Sequence, residues 1–271
     1  MSDRKEVRSD HSSIADTGWF HEECGQELGE RLQFLPNKPQ RIVDVGCRVG
    51  PLSRSLRSNF PDASVISGDA LTRSGPETEQ GKVADCCPDS LSELERMSLE
   101  DGSAGLIVSN LSASYCDPKA FFAECYRILR ADGALLFSMF AAGSLEEFRL
   151  ACRHSGIALI DGRFPEMRDI GDLLLAGGFA NPVVDTDCRR VRYPDIQSLI
   201  QVLDQSGAFA AMVGDHRPLS KKSVQSELSE QFHDLDGNDN FMLTVDVIYG
   251  VAWKNESGGS TAHVHFHPVQ A

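Results

Sequence analysis

Short apolar runs alternate along the first half of the chain with stretches in which apolar residues recur every three or four positions. Ile42, Val43 and Val45 form a β-branched run that predicts a strand over 41–45, and Leu52, Leu56 and Phe60 carry a helical period that predicts a helix over 51–60. Further apolar runs predict strands over 64–68, 105–109 and 134–139, with a shorter one near 82–84. Helices are expected over 19–35, closed by Pro36, over 89–97 and over 144–152. Another is expected over 118–129, with Asp117 as its cap, Pro118 in its first turn and Asp132-Gly133 as its stop. Beyond residue 160 the pattern predicts a helix over 170–175, a strand over 182–186, a helix-rich stretch over 193–232 and a long closing strand over 241–253.

Strands and helices alternating at this spacing define an α/β protein with a parallel, doubly wound, Rossmann-like sheet. Residues 19–254 read as a single domain, with 194–240 as a helical insertion or lid before the last strand. Residues 1–18 form a polar tail and residues 255–271 a second one. Sheets of this kind bind ligands at the carboxyl ends of their strands, which is where Gly46, Asp69 and Asn110 fall.

Composition narrows the partners. The chain of 271 residues is 41% hydrophobic, enough for one sizeable core. Its formal charge of -14 repels phosphate backbones and argues against nucleic acid. No apolar run is long enough to span a bilayer, and the first residues resemble neither a signal peptide nor a transit peptide, so the expected location is the cytoplasm and no membrane partner is expected. The eight cysteines contain no C-x-x-C pair and read as reduced, mostly buried thiols, with no metal expected on them. His263, His265 and His267 would face one side of a strand and could meet on a metal; a solvated edge strand is the preferred reading.

The candidate chemistry starts at the end of the first predicted strand, where Asp44-Val45-Gly46-Cys47-Arg48-Val49-Gly50 leads into a helix. Gly46 and Gly50 let main chain approach a ligand, and the following helix offers unpaired N–H groups. Such a turn also occurs as a plain strand-to-helix connection. Asp69, ending the next strand, is placed to accept both hydroxyls of a ribose. The G-x-G-x-x-G spacing of a dinucleotide site is absent, and Asp44 would repel a diphosphate. Its charge suits the ammonium group of S-adenosylmethionine, which this electrostatic argument selects over NAD.

Several blocks further along are more specific. They are Ser109-Asn110-Leu111 with Tyr115-Cys116-Asp117, AFFAECYRILRADG at 120–133, GSLEEFR at 143–149, RFPEMRDIGDLL at 163–174 and VIYGVAWK at 247–254. With these, the chain resembles the class I methyltransferases from about Trp19 to Trp253, and within them the branch that contains malonyl-[acyl-carrier protein] O-methyltransferase of biotin synthesis. That branch also has a sister group of protein-modifying assembly factors.

The resemblance implies S-adenosyl-L-methionine as cofactor. Gly46, Cys47 and Gly50 would line its methionine part, Asp69 would hold the ribose and Asp85 would address the adenine. Asn110 would contact the methionine end or the acceptor. The implied acceptor is the free carboxylate of a malonyl group on an acyl-carrier protein. That nucleophile is ionised at neutral pH and calls for no general base. Arg163 is the expected carboxylate fork, with Arg149 second. Arg189, Arg190 and Arg192, and Arg217 with Lys221 and Lys222, are the basic clusters that could meet an acidic carrier. The family turn normally has glycine where this chain has Arg48. Three readings therefore stand: a carboxyl methyltransferase, a relative that modifies a protein, and a non-catalytic binding module that keeps the fold.

Overall fold

The computed structural model describes residues 5–7, 19–35, 38–45, 51–67, 94–157, 159, 164–193, 195–205, 212, 228–230 and 241–255. Seven strands form one sheet: β1 (Lys5–Val7), β2 (Arg41–Val45), β3 (Ser64–Ser67), β4 (Ala104–Asn110), β5 (Leu129–Phe140), β6 (Phe179–Tyr193) and β7 (Phe241–Lys254), in the spatial order β1-β6-β7-β5-β4-β2-β3. The helices are α1 (Trp19–Arg31), α2 (Pro51–Asn59), α3 (Pro118–Ile128), α4 (Glu146–His154), α5 (Met167–Ala176) and α6 (Ile196–Gln205).

β2, α2, β4 and α3 arise where the periodicity placed them, to within two residues. Asp117 caps α3 through its carboxylate, which accepts from the Lys119 and Ala120 N–H groups, and Pro118 occupies the first turn. At the other end of α3, Lys254 Nζ donates to the carbonyls of Tyr126 and Leu129 at 2.7 and 2.8 Å, a cation set on the negative end of the helix. The closing strand is thereby tied to the helix that precedes β5.

Two cores sandwich the sheet. One face buries Ile42, Leu106, Val108, Leu136 and Val245 with α1, α2, α4 and α6; the other buries Val43, Val45, Ile107, Leu135 and Ile248 with α3 and α5. α1 presents Cys24 and Leu28 to the first core and the 3₁₀ turn after it adds Leu32, and burying a leucine side chain stabilises a fold by about 1.5–3 kcal/mol. Its Gly25 and Gly29 let it lie against α2, since a Cβ at 25 would reach 3.3 Å from Leu52 Cβ and one at 29 would reach 2.8 Å from Ser55 Oγ.

Several expectations change. The sheet is not wholly parallel, because β7 runs antiparallel to both β5 and β6. β6 ends at the carboxyl edge and β7 starts from that same edge, so the returning strand must run backwards. β6 spans Phe179–Tyr193 rather than 182–186, and Tyr193 closes a strand instead of opening a helix. Its alternation is hidden in sequence because Asp185 and Arg189 face charged partners on α1, and Asp187 pairs with Arg189 on the same strand. Lys5–Val7, inside the segment read as a polar tail, pairs in parallel with Arg189–Val191. Of the helix expected over 89–97, the described residues 94–96 form turn and bend. This stretch is held to α3 by the Met97 N–H on Glu124 Oε1 at 2.7 Å and by the Arg127 guanidinium on the Leu99 and Met97 carbonyls. α1 also stops at Arg31, where residues 32–34 tighten into a 3₁₀ turn.

Among the described residues no helix is long and apolar enough to cross a membrane. Cys24, Cys116, Cys125 and Cys152 are free and buried, and Cys188 is half-buried.

Candidate active site

The carboxyl ends of β2, β4 and β5 are stitched together by the turn after β4. Leu111 opens that turn in the left-handed region at φ 63, a conformation unfavourable for a leucine. It is held there by its N–H, which donates to both the carbonyl and the hydroxyl oxygen of Ser138 at 3.0 Å. Ser112 Oγ donates to the Val45 carbonyl at 3.1 Å, and Ser114 Oγ accepts from the Phe140 N–H at 2.8 Å. Leu145, capping α4 just beyond β5, is the second left-handed leucine, at φ 61. Strained backbone of this kind concentrates at functional edges, and both leucines lie at the edge where an α/β sheet binds its ligand. The hydrophobic pattern gave no sign of either.

Asp44 is buried near the end of β2 and its Oδ2 accepts from Ser53 Oγ of α2 at 3.1 Å. A buried carboxylate beside the start of the helix that follows the glycine turn suits a cationic ligand end and disfavours a diphosphate. The donor set therefore fits S-adenosylmethionine.

Asn110 sits at the last position of β4 and is half-buried. Its Nδ2 donates to the His21 carbonyl of α1 at 2.8 Å, and its Oδ1 accepts from Ser138 Oγ at 2.9 Å. Among the described residues, one amide hydrogen and one lone pair have no further partner.

The wall next to Asn110 is aromatic. Phe20 from α1 stacks on Phe140 from the end of β5, with centroids 5.7 Å apart and planes 3° apart, and Phe164 packs on Phe140 at 5.3 Å. Arg149, half-buried on α4, donates from Nη1 to the Ala142 carbonyl at 3.2 Å, which sets its guanidinium close to the end of β5. Glu147, two residues earlier, anchors β7, accepting the Thr244 N–H at 2.8 Å and the Thr244 hydroxyl at 2.5 Å.

Gly46, Cys47, Arg48, Gly50, Asp69, Asp85 and Arg163 lie outside the described residues, as do Arg217, Lys221, Lys222, His263, His265 and His267. Among the basic clusters, Arg189 is not available to a partner. Its guanidinium forms ion pairs with Glu23 at 2.9 Å, Glu27 at 3.2 Å and Asp187 at 2.5 Å, on the face covered by α1. Arg190 and Arg192 stay exposed on the opposite face of β6. Among the described residues no group of three His, Cys, Asp or Glu could hold a metal ion.

The sheet order, the reversed β7 and a ligand edge built over β2 and β4 define a methyltransferase of the class I fold. A family model described as a methyltransferase domain matches residues 43–137. The chain belongs to the family of malonyl-[acyl-carrier protein] O-methyltransferases. It is 30% identical to the protein of that name from Gallionella capsiferriformans over 93% of this chain and 91% of the relative. It is 31% identical to the one from Nitrosospira multiformis over 86% of this chain and 81% of the relative. Among solved structures, a candidate methyltransferase of Bacillus halodurans superposes with a TM-score of 0.52 at 14% identity, covering 85% of this chain and 100% of that one.

Proposed function

We propose that the chain methylates the free carboxylate of a malonyl group carried on an acyl-carrier protein, with S-adenosylmethionine as donor, in the cytoplasm. The observation that carries this reading is 30% identity, sustained over 93% of the chain, to a relative named for that reaction. When bound, the donor supplies a methyl group on a sulfonium, so that an O–CH3 bond forms as the S–CH3 bond breaks.

The chain's own residues then have three tasks. Asp44, Gly46, Cys47 and Gly50 hold the cationic methionine end, while Asp69 and Asp85 take the ribose and adenine. Arg163 and Arg149 recognise the acceptor carboxylate, and Arg149 already has its guanidinium fixed by the Ala142 carbonyl. The aromatic wall of Phe20, Phe140 and Phe164 excludes water from the nucleophile, which raises its reactivity. A carboxylate that is ionised at neutral pH needs no residue to take a proton.

The test is a titration with S-adenosylhomocysteine followed by transfer of labelled methyl to malonyl-[acyl-carrier protein] and to its acetyl counterpart. Saturable binding and labelling of the malonyl carrier alone are expected. Binding without labelling of the malonyl carrier would favour the protein-modifying reading. Absence of binding would favour the non-catalytic one, for which Arg48 in the glycine turn is the motivating residue.

A further inference from the structure

We propose that Asn110, oriented by the buried Ser138, is a positioning residue that clips the first turn of α1 onto the ends of β4 and β5 and so fixes the acceptor-side wall. This inference rests on the methyl-transfer reading above.

The hydrogen-bond inventory leaves one orientation for the amide. The His21 carbonyl can only accept, so the group that meets it at 2.8 Å is the amide nitrogen, Nδ2. Oδ1 then faces Ser138 Oγ, which gives it its single hydrogen at 2.9 Å while accepting the Leu111 N–H. Ser138 is fully buried and reaches no ligand. It can act only through Asn110 and the Leu111 turn.

Gly25, one turn along α1 from His21, makes the clip possible. A Cβ there would stand 3.3 Å from Asn110 Nδ2 and 3.3 Å from Leu52 Cβ, so the amide and α2 would have to give way slightly to admit it. Phe20 is the neighbour of the clipped His21, and its partner Phe140 lies two residues beyond Ser138. A shift of the first turn of α1 therefore moves Phe20 off Phe140. The donor turn follows β2, and the ribose acid Asp69 follows β3 on one side of it. The reacting end then points to the other side, over β4 and β5, where this wall stands.

The clip and a direct cofactor contact by Asn110 make different predictions. Gly25→Ala, Ser138→Ala and Asn110→Asp are compared by steady-state transfer to malonyl-[acyl-carrier protein] and by titration with S-adenosylhomocysteine. With a positioning role, each raises the KM for the carrier about tenfold, while kcat and cofactor affinity stay within about twofold. The double variant Gly25→Ala with Ser138→Ala should be no worse than the weaker single one, because both release one clip. The proposal is overturned if Asn110→Asp weakens cofactor binding about tenfold or more while Gly25→Ala leaves it unchanged. It is also overturned if Ser138→Ala matches the wild-type KM.

Hydrogen exchange reads the clip without reference to methyl transfer. Amides of Glu23, Cys24 and Gln26, which donate to the carbonyls of the first turn of α1, should exchange faster in Gly25→Ala and Ser138→Ala than in wild type, with α3 unchanged as reference. Unaltered protection in that turn would sink the clip, whereas loss of cofactor binding by the wild type would sink only the functional reading.

Discussion

The ring of Phe137 lies flat against Gly250 across the β5–β7 pair, so close that a Cβ at position 250 would fall 2.3 Å from two of its carbons. The ring is fully buried beneath α3, where it also packs on Phe122 at 5.1 Å, and has no room to retreat. Gly250→Ala should therefore destabilise the fold by about 1–3 kcal/mol through overpacking. Chemical denaturation measures this, and adding Phe137→Leu should recover part of the loss. A change within about 0.5 kcal/mol would place Gly250 among ordinary surface substitutions.

Arg189 gathers Glu23 and Glu27 from α1 and Asp187 from β6, while Arg31 reaches Asp185 and lies 4.3 Å over the Tyr249 ring. The two arginines pin α1 to the β6–β7 pair. Removing Arg189 leaves three carboxylates crowded without their cation. Arg189→Ala should cost about 3 kcal/mol, against less than about 1 kcal/mol for the exposed Arg190→Ala. Equal effects in thermal or denaturant unfolding would refute the assignment of Arg189 to the interior network.

Burial pushes the thiols of Cys24 and Cys152 up from the ordinary 9.0 to about 12. The unfolded chain releases these protons near the ordinary value, whereas the folded chain keeps them until about 12. Their contribution to stability is thus fully present below about pH 9 and declines as pH rises towards 12. Denaturation midpoints should fall across that window, and substituting both thiols by alanine should flatten the slope. A thiol reagent at pH 8 should leave these two groups unmodified in the native protein and label them after unfolding.

Arg149 is expected to discriminate rather than to stabilise. Among the described residues its guanidinium bonds the Ala142 carbonyl through Nη1 alone, and its remaining donors are the ones this reading assigns to a ligand. Arg149→Gln should narrow the preference for malonyl over acetyl carrier by about tenfold or more. Unfolding should shift by no more than about 1 kcal/mol. An unchanged ratio of kcat/KM values for the two carriers would remove Arg149 from acceptor recognition.

Much of the sheet could be read from the chain itself. β2 and β4 are short apolar runs buried on both faces, α2 and α3 carry the helical period and Asp117 is the expected cap, although α3 ends at Ile128 and the expected stop, Asp132-Gly133, lies within β5. β6 is longer than its apolar pattern suggests because Asp185 and Arg189 are paired with charged residues of α1, a relation invisible to a local pattern. The reversal of β7 depends on which edge the preceding segment returns from, which no window of sequence contains. The Asn110 clip joins positions 28 and 89 residues apart in the chain. Asn110 stood out as a strand-end polar residue, but Gly25 and Ser138, which give it its orientation, looked like an unremarkable helix glycine and strand serine.

The central place of β7 has a consequence for biosynthesis. A nascent chain can lay down β2 to β5 in order, yet β6 cannot join them until the stretch ending at Lys254 has left the ribosome and slid into the gap. Until then two unsatisfied strand edges face the solvent, each a template for another chain. The half-made protein is therefore the form most in need of chaperone cover, and a premature stop within the last strand would leave the sheet split rather than merely frayed.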